Sequence, residues 1–136
     1  IKGVAAGQCS IAVANTYYLA GMLSSDNPTE RQQASKVKVL WTDKNSFGTH
    51  VNISGAAVAK HAPNASHAQQ LIIFMLRPES QQWYAESNHE YPVNPDVAQS
   101  DLMQSFGAFK AQSVALDAVG EGNAAALRLM DRAGWK

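Results

Sequence analysis

The sequence predicts an α/β fold, because short apolar runs of strand length alternate with stretches in which apolar residues recur at helical spacing. Residues 9–14 form an apolar run typical of a strand that is covered on both faces. Residues 36–41 alternate between apolar and other side chains, which indicates a strand with one better-buried face. Residues 51–60 are extended and apolar, and we expect a bulge or a close backbone approach at Ser54 and Gly55.

Helices are predicted from apolar spacing, N-cap residues and stop signals. They cover residues 1–8, 15–23, 29–35, about 66–76, 78–84 and 101–106, and a last helix opens at Gly122 and Asn123 and ends at Gly134. Asn15 is a good N-cap, and Pro28 and Pro78 stand in first turns, where proline is tolerated. The helix that ends at Leu76 is apolar on so many sides that we predict it to be buried on most of its circumference.

Composition excludes several classes of function. The chain has 136 residues with 11 acidic and 11 basic side chains, so its formal net charge is zero. No concentrated basic patch favours nucleic acid or an anionic membrane surface, and we predict neither as a partner. The longest strongly apolar run, residues 71–76, is much too short to span a bilayer, so no membrane insertion is predicted. Cys9 is the single cysteine, which excludes an internal disulfide, and its place in a predicted strand indicates a small buried hydrophobe.

Tyr17 and Tyr18 stand where the apolar run of residues 9–14 gives way to a helix. Neighbouring side chains of a strand point to opposite faces, whereas the first turn of a helix allows two neighbours to serve one ligand. Unpaired N–H groups and the positive end of the helix dipole favour negative charge there, such as that of a phenolate. Because a phenol titrates near pH ~10, two phenolates at neutral pH need a small, highly charged, oxygen-preferring cation, and ferric iron is the natural candidate.

Other interpretations of these residue types stay open. Two adjacent tyrosines can also serve packing alone, with one ring at the edge of the core and the other on the surface. The plainest interpretation of Asn15 is a helix cap. The histidines have no i, i+4 pair and no H-E-x-x-H spacing, so none is assigned as a ligand; they are His50, His61, His67 and His89. No G-x-S-x-G sequence, phosphate-cradling glycine loop or Cys/His pairing signature is present, and the chain is not predicted to be an enzyme.

Several stretches resemble, in the same order, segments of the periplasmic ferric-iron-binding proteins of bacterial ABC transporters. They are residues 4–18 (VAAGQCSIAVANTYY), 51–60 (VNISGAAVAK), 68–76 (AQQLIIFML), 90–94 (EYPVN) and 131–135 (DRAGW). The first stretch carries the twin tyrosines of that family. Together they extend over almost the whole chain, and the combination is far more specific than any one of them.

The resemblance implies the C-terminal half of a two-lobed, type II periplasmic-binding-protein fold, with mixed sheets flanked by helices. Residues 1–48 and 97–136 would belong to the C-terminal lobe and residues 49–96 to the N-terminal lobe, with hinge strands near Gly48 and Pro95. The N-terminal half of the full protein would be absent from this chain and would supply the remaining ligands. A chain that starts with Ile1 inside a helical pattern agrees with that expectation.

The resemblance also implies a function. The protein would be a substrate receptor that holds Fe³⁺ in the cleft between the lobes through Tyr17 and Tyr18 and delivers it to an inner-membrane ABC permease. Asn15 matches a position at which some family members bind a synergistic anion, such as carbonate or phosphate. The full-length protein would be a monomer, periplasmic or anchored to the cell envelope, secreted through a signal peptide that is not present here. The alternative is a binding protein of this fold for another anionic or small organic solute, with the tyrosines used for hydrogen bonding and stacking.

Overall fold

Helices make up the regular structure of residues 1–135, the part of the chain that the structure, a computed structural model, describes. In chain order they are α1 (Lys2–Ala5), α2 (Thr16–Leu23), α3 (Pro28–Ala34), α4 (Ala65–Met75), α5 (Pro78–Ser87), α6 (Asp101–Ser105) and α7 (Leu116–Ala133). Each predicted helix is confirmed in its place, although one of them begins well before its predicted start.

The helix ends carry the capping residues that sequence rules favour. The side chain of Asn27 caps α3, because its Oδ1 accepts hydrogen bonds from the backbone N–H groups of Thr29 and Glu30 at 3.0 and 3.4 Å. The hydroxyl of Ser100 caps α6 by accepting a backbone N–H bond at 3.4 Å. Gly134 ends α7 in the left-handed conformation, with a φ of 66°. The two side chains therefore fix where α3 and α6 begin, and the glycine fixes where α7 ends.

The last helix begins at Leu116 and not at the predicted Gly122. The prediction was wrong because it treated a glycine as a helix opening, whereas glycine inside a helix costs only about 1 kcal/mol relative to alanine. Leu116 and Val119 continue the apolar helical spacing upstream of Gly122, and the helix follows that pattern. None of the residues of α7 is buried.

The predicted strands are not confirmed. Within residues 1–135 the only strand-like pairing is a single parallel bridge between Thr49 and Ala111. Residues 9–14, 36–41 and 51–60 do not form strands. A strand needs the hydrogen bonds of a neighbouring strand, and no ladder of backbone hydrogen bonds joins these stretches to another described segment. The side chains of residues 9–14 are exposed: Val13 is 89% exposed, and Cys9, predicted to be buried, is exposed.

The prediction that α4 is buried on most of its circumference is also wrong for the described chain. No residue of α4 is buried, and Leu71, Ile73 and Phe74 are all more than half exposed. An apolar helix face is buried only where another element packs against it. Helix α5 packs against α4, and it covers one side only.

Contacts divide the chain into two units. Unit 1 contains Ile1–Leu40 and Asn52–Ala108. Its buried apolar side chains come from α2, α3, α5, α6 and the loop before α6; they are Leu19, Ala20, Ala34, Ala85, Val97 and Met103. Within this unit α3 packs against both α1 and α2, and α2 presents Leu19 and Ala20 to the core. The orientation of α2 is thereby fixed by packing.

A buried glutamine ties three segments of unit 1 together. Gln81, in α5, donates from Nε2 to the carbonyl oxygen of Met75 at 2.9 Å. Its Oε1 accepts a hydrogen bond from the backbone N–H of Val93, also at 2.9 Å. Both ends of the buried amide are therefore paired, and they link the last turn of α4, α5 and the loop that follows α5.

Unit 2 is formed by two segments that are distant in sequence, Trp41–Val51 and the described residues from Phe109 onward. Thr49 donates a backbone hydrogen bond to the carbonyl of Lys110 and accepts one from the N–H of Gln112, each 2.8 Å long. The rings of Trp41 and Phe109 stack with their centroids 4.3 Å apart. The predicted lobe boundaries concern a larger, two-lobed protein and stay predictions.

Replacing Gly48 with alanine is expected to lower the free energy of unfolding. Gly48 has a φ of 97°, and a Cβ there would lie 2.6 Å from the carbonyl oxygen of Lys110. Such a backbone conformation alone costs a non-glycine residue about 1–3 kcal/mol, and the contact with Lys110 adds to that cost. Denaturant unfolding measures the loss.

Gly120→Ala is the matched control for Gly48→Ala. A Cβ at position 120 meets nothing within 4 Å, and alanine in a helix interior is favoured over glycine by about 0.5–1 kcal/mol. We therefore expect opposite signs for the two changes in stability. Wild-type stability of Gly48→Ala would contradict the close approach of the two segments of unit 2.

Candidate metal centre

The first turn of α2 carries the two tyrosines, as the sequence predicts. Asn15 has the extended backbone of an N-cap residue, with φ −71° and ψ 145°, and α2 begins at Thr16. Leu19 and Ala20, which follow the tyrosines, are buried and anchor the helix in unit 1. The tyrosine rings therefore stand on a helix that is held in place by its buried side chains.

The two phenol rings are neighbours in space as well as in sequence. The ring centroids of Tyr17 and Tyr18 are 4.5 Å apart, and the ring planes are tilted by 50°. Tyr18 is 58% exposed, so a ligand has access to its hydroxyl, and Tyr17 is half-buried. A side-chain hydrogen bond with Tyr17 raises the pKa of the Tyr18 phenol, and the nearby charge of an ionised Tyr17 and slight burial raise it further. The two phenol oxygens are thus coupled groups at one place on the helix.

The side chain of Asn15 does not cap α2. It makes no capping hydrogen bond to the helix backbone, and its Nδ2 instead donates to the hydroxyl oxygen of Tyr17 at 2.9 Å. The interpretation of Asn15 as a helix cap is therefore correct for its backbone and wrong for its side chain. Sequence rules missed the contact because Asn is assigned to capping by type alone, whereas here a phenol oxygen two residues on takes the amide.

An open depression of about 580 Å³ lies beside Tyr18. Its lining residues come from α1, α2, α3 and the run before α2; they are Ile1, Lys2, Gly3, Ala14, Tyr18, Met22 and Glu30. Lys2 Nζ and Glu30 Oε1 form an ion pair of 2.8 Å. Hydrogen bonds from Lys2 and Ser25, together with the charge of Lys2, lower the pKa of the Glu30 carboxyl. The sequence gives no signal for this pair, because its partners belong to different helices.

The other candidate ligands lie in different environments. Within residues 1–135 no group of three or more His, Cys, Asp or Glu side chains is arranged so that it could hold a metal ion. His50 Nδ1 lies 3.2 Å from Gln112 Oε1 in unit 2. Burial raises the pKa of the Tyr91 phenol, which opposes its ionisation.

None of the helices in the described part of the chain is both long enough and apolar enough to cross a membrane.

The first turn of α2 offers oxygen atoms as ligands. Two phenol oxygens next to a helix N-terminus suit a hard cation once their protons leave, and an amide donor already touches one of them.

Comparison with known proteins identifies relatives of the chain. Residues 2–131 match the family described as bacterial extracellular solute-binding protein. Over 136 residues the chain is 38% identical to iron uptake protein A1 of Synechocystis sp., an alignment that covers all of this chain and 38% of that protein. It is 26% identical over 136 residues to the major ferric iron-binding protein of Neisseria meningitidis serogroup B, covering all of this chain and 40% of that protein.

Solved structures agree with these relatives. A Trichodesmium protein (IdiA, FutA), solved in complex with iron and citrate, matches with a TM-score of 0.94 and 43% identity over 99% of this chain and 43% of its own. The ferric binding protein from Campylobacter jejuni matches with a TM-score of 0.92 and 32% identity over 99% of this chain and 43% of its own. The chain therefore spans about two fifths of the length of these relatives.

The predicted resemblance to ferric-iron-binding proteins is confirmed by these matches, and so is the prediction of a binding protein in place of an enzyme. The relatives named above share the fold of this chain over nearly all of its length. The family match extends over residues 2–131, which is nearly the whole sequence. The chain belongs to the bacterial extracellular solute-binding protein family.

Proposed function

We propose that the complete protein carrying this chain is the ferric-iron receptor of an ABC uptake system, and that Tyr17 and Tyr18 are two of its iron ligands. The observation that supports this most is the pair of phenol rings 4.5 Å apart on the first turn of α2. The names of the relatives, iron uptake protein and ferric iron-binding protein, favour iron as the cargo. Iron bound between two lobes would bias a hinge toward a closed form that the membrane permease recognises.

Two phenolates leave the coordination of iron incomplete. A hard cation of this kind takes about six oxygen ligands, by analogy with other oxygen-bound ions. The remaining oxygens would come from the rest of the protein and from an anion, such as carbonate or phosphate. The Trichodesmium relative was solved with iron and citrate, so a carboxylate is a third candidate for this anion. We propose Asn15 as a contact of that anion, since an amide carries two N–H donors.

The complete protein would have the two-lobed α/β architecture of a type II periplasmic binding protein. In this proposal residues 1–48 and 97–136 belong to the C-terminal lobe and residues 49–96 to the N-terminal lobe. The exposed apolar side chains of Ile11 and Val13 support it, because unpaired apolar runs of strand length need partner strands and covering helices. The complete protein would be a periplasmic or envelope-anchored monomer, exported through a signal peptide.

Ferric loading tests the proposed function directly. The complete protein is expected to develop a visible absorption band when ferric citrate is added, because electron density moves from a phenolate to Fe³⁺ when the two are bonded. Titration of that band against a competing chelator gives the affinity. Gallium loading, followed by tyrosine absorption, is a matched control without a visible band, since Ga³⁺ has the same charge and a filled d shell.

A second candidate function rests on the depression beside Tyr18. Its walls combine apolar side chains with a phenol and the Lys2–Glu30 ion pair, which suits a small organic solute that has both apolar and polar groups. In that case the tyrosines would bind the solute by hydrogen bonding and stacking. A protein that stays colourless after ferric loading, and binds a small carboxylate without iron, would favour this candidate over the ferric receptor.

A further inference from the structure

Of the N-cap residues whose side chains are of a capping type, Asn27 and Ser100 cap their helices, whereas Asn15 and Asn64 do not. Asn27 Oδ1 and Ser100 Oγ both accept backbone N–H bonds and cap α3 and α6. Asn15 occupies the same N-cap position before α2, yet its amide donates a hydrogen bond to the Tyr17 oxygen and does not cap the helix. A residue type suited to capping is therefore engaged with the proposed iron ligand.

We propose that Asn15 is a positioning residue that holds the Tyr17 oxygen in place for iron through its side-chain N–H. The inference rests on the proposed function. The contact is 2.9 Å long, a normal length for an N–H···O hydrogen bond, and it involves a part-buried pair of side chains. An amide nitrogen has no free lone pair, so Asn15 Nδ2 can only donate, and it does not compete with Tyr17 for the metal.

The hydrogen bonds around Tyr17 explain why this donor matters. The Tyr17 oxygen accepts a hydrogen bond from the amide of Asn15, and a side-chain hydrogen bond also joins Tyr17 and Tyr18. When iron replaces the protons of both phenols, neither hydroxyl has a proton left with which to keep the bond between them. The Asn15 amide keeps its protons and continues to orient the Tyr17 oxygen, as partners of metal ligands do in other sites.

The amide also has room for the anion that we propose beside the iron. One N–H of Nδ2 is directed to Tyr17, and the other is available to a second acceptor. One side chain would then touch both a ligand oxygen and the anion. This would tie the position of the anion to that of the Tyr17 ring.

Asn15→Ser in the complete protein tests the inference. Serine caps a helix about as well as asparagine, but its side chain is too short to reach the phenol oxygen of Tyr17. We expect ferric affinity to fall about tenfold to a hundredfold, the usual effect of losing a partner of a metal ligand. The phenolate-to-iron band should move to longer wavelength, because a phenolate without its hydrogen-bond donor gives up electron density more easily. The melting temperature of the iron-free protein should stay the same or rise.

Two further variants make the result decisive. Asn27→Ser is the matched control: it is the same substitution at a residue that caps α3, and we expect unchanged affinity and an unchanged band. Asn15→Asp keeps the size and an acceptor oxygen but removes the N–H donor, and we expect it to weaken binding as well. Wild-type or tighter ferric binding by either Asn15 variant would overturn the inference.

The two proposals can fail separately. Wild-type protein that shows no phenolate-to-iron band on ferric loading would disprove the proposed function. A normal wild-type band that is weaker in Tyr17→Phe, together with wild-type affinity and an unchanged band in both Asn15 variants, would disprove the role of Asn15 and leave the ferric receptor intact.

Discussion

Replacing Tyr17 or Tyr18 with phenylalanine is expected to lower ferric affinity by more than about a hundredfold. Loss of a partner of a ligand typically costs about 10–100-fold in metal affinity, and loss of a ligand itself should cost more. The mutation removes one hydroxyl and leaves the ring, so the packing of α2 through Leu19 and Ala20 is unchanged. The unfolding free energy of the iron-free protein should change little. Titration with ferric citrate against a competing chelator measures the affinity, and the intensity of the visible band reports the number of bound phenolates.

Tyr84→Phe is the matched control for these variants. Tyr84 is half-buried in α5, where its ring lies 5.3 Å from that of Trp83, and it has no role in the proposed site. The same loss of a hydroxyl there should leave ferric affinity as it is in the wild type. Wild-type affinity in Tyr17→Phe or Tyr18→Phe would remove that residue from the ligand set.

Acidification is expected to release the iron steeply. An ordinary phenol keeps its proton until about pH 10, and the hydrogen bond with Tyr17 raises the pKa of Tyr18 above its ordinary value. Tyr18 is therefore protonated at neutral pH before iron arrives, and every phenol that binds iron as a phenolate must give up its proton. Each displaced proton weakens the apparent affinity about tenfold per pH unit, so the two phenols alone give about a hundredfold loss for every unit that the pH falls, and any further ligand that releases a proton adds to it. Competition with a chelator of known proton dependence, from pH 8 to pH 5, measures this slope.

The slope itself identifies the ligands. Tyr18→Phe displaces one phenol proton fewer, so its loss of affinity per pH unit should be about tenfold smaller than that of the unaltered protein. The unaltered protein and the variant are compared in the same buffers and with the same competitor. Affinity that is flat from neutral to acidic pH would rule out tyrosinate ligation.

Local sequence signals predicted the start of α2, where the candidate site lies, but they missed the hydrogen bond that the Asn15 side chain makes. The start of α2 depends on residues next to each other in the chain, namely the Asn15 cap position and the apolar residues that follow the tyrosines. The direction of the Asn15 side chain depends on a competition between two acceptable partners, the backbone N–H groups of α2 and the oxygen of Tyr17. Residue type alone cannot decide that competition, because Asn satisfies either partner equally well.

The strands could not be judged from their own residues. Residues 9–14 have the composition of a covered strand, yet the pairing that makes a strand is supplied by another segment, and none of the described segments forms a ladder with them. The prediction of where α7 begins was wrong for a different reason. Gly122 is compatible with a helix interior when apolar residues on both sides continue the helical spacing. Non-local partners and tolerated glycines thus account for the main differences.

The pairing of distant segments in unit 2 has a consequence for synthesis on the ribosome. Trp41 emerges long before Phe109, its stacking partner, and the intervening chain takes roughly 3–14 s to make at about 5–20 residues per second. The bridge between Thr49 and Ala111 cannot form in that time either, because its second strand does not yet exist. During this interval Trp41 lacks its stacking contact with Phe109 while the residues of unit 1 are still being added. Unit 2 can therefore form only after nearly all of unit 1 has been made, and slower translation of the residues between its two segments should delay its formation.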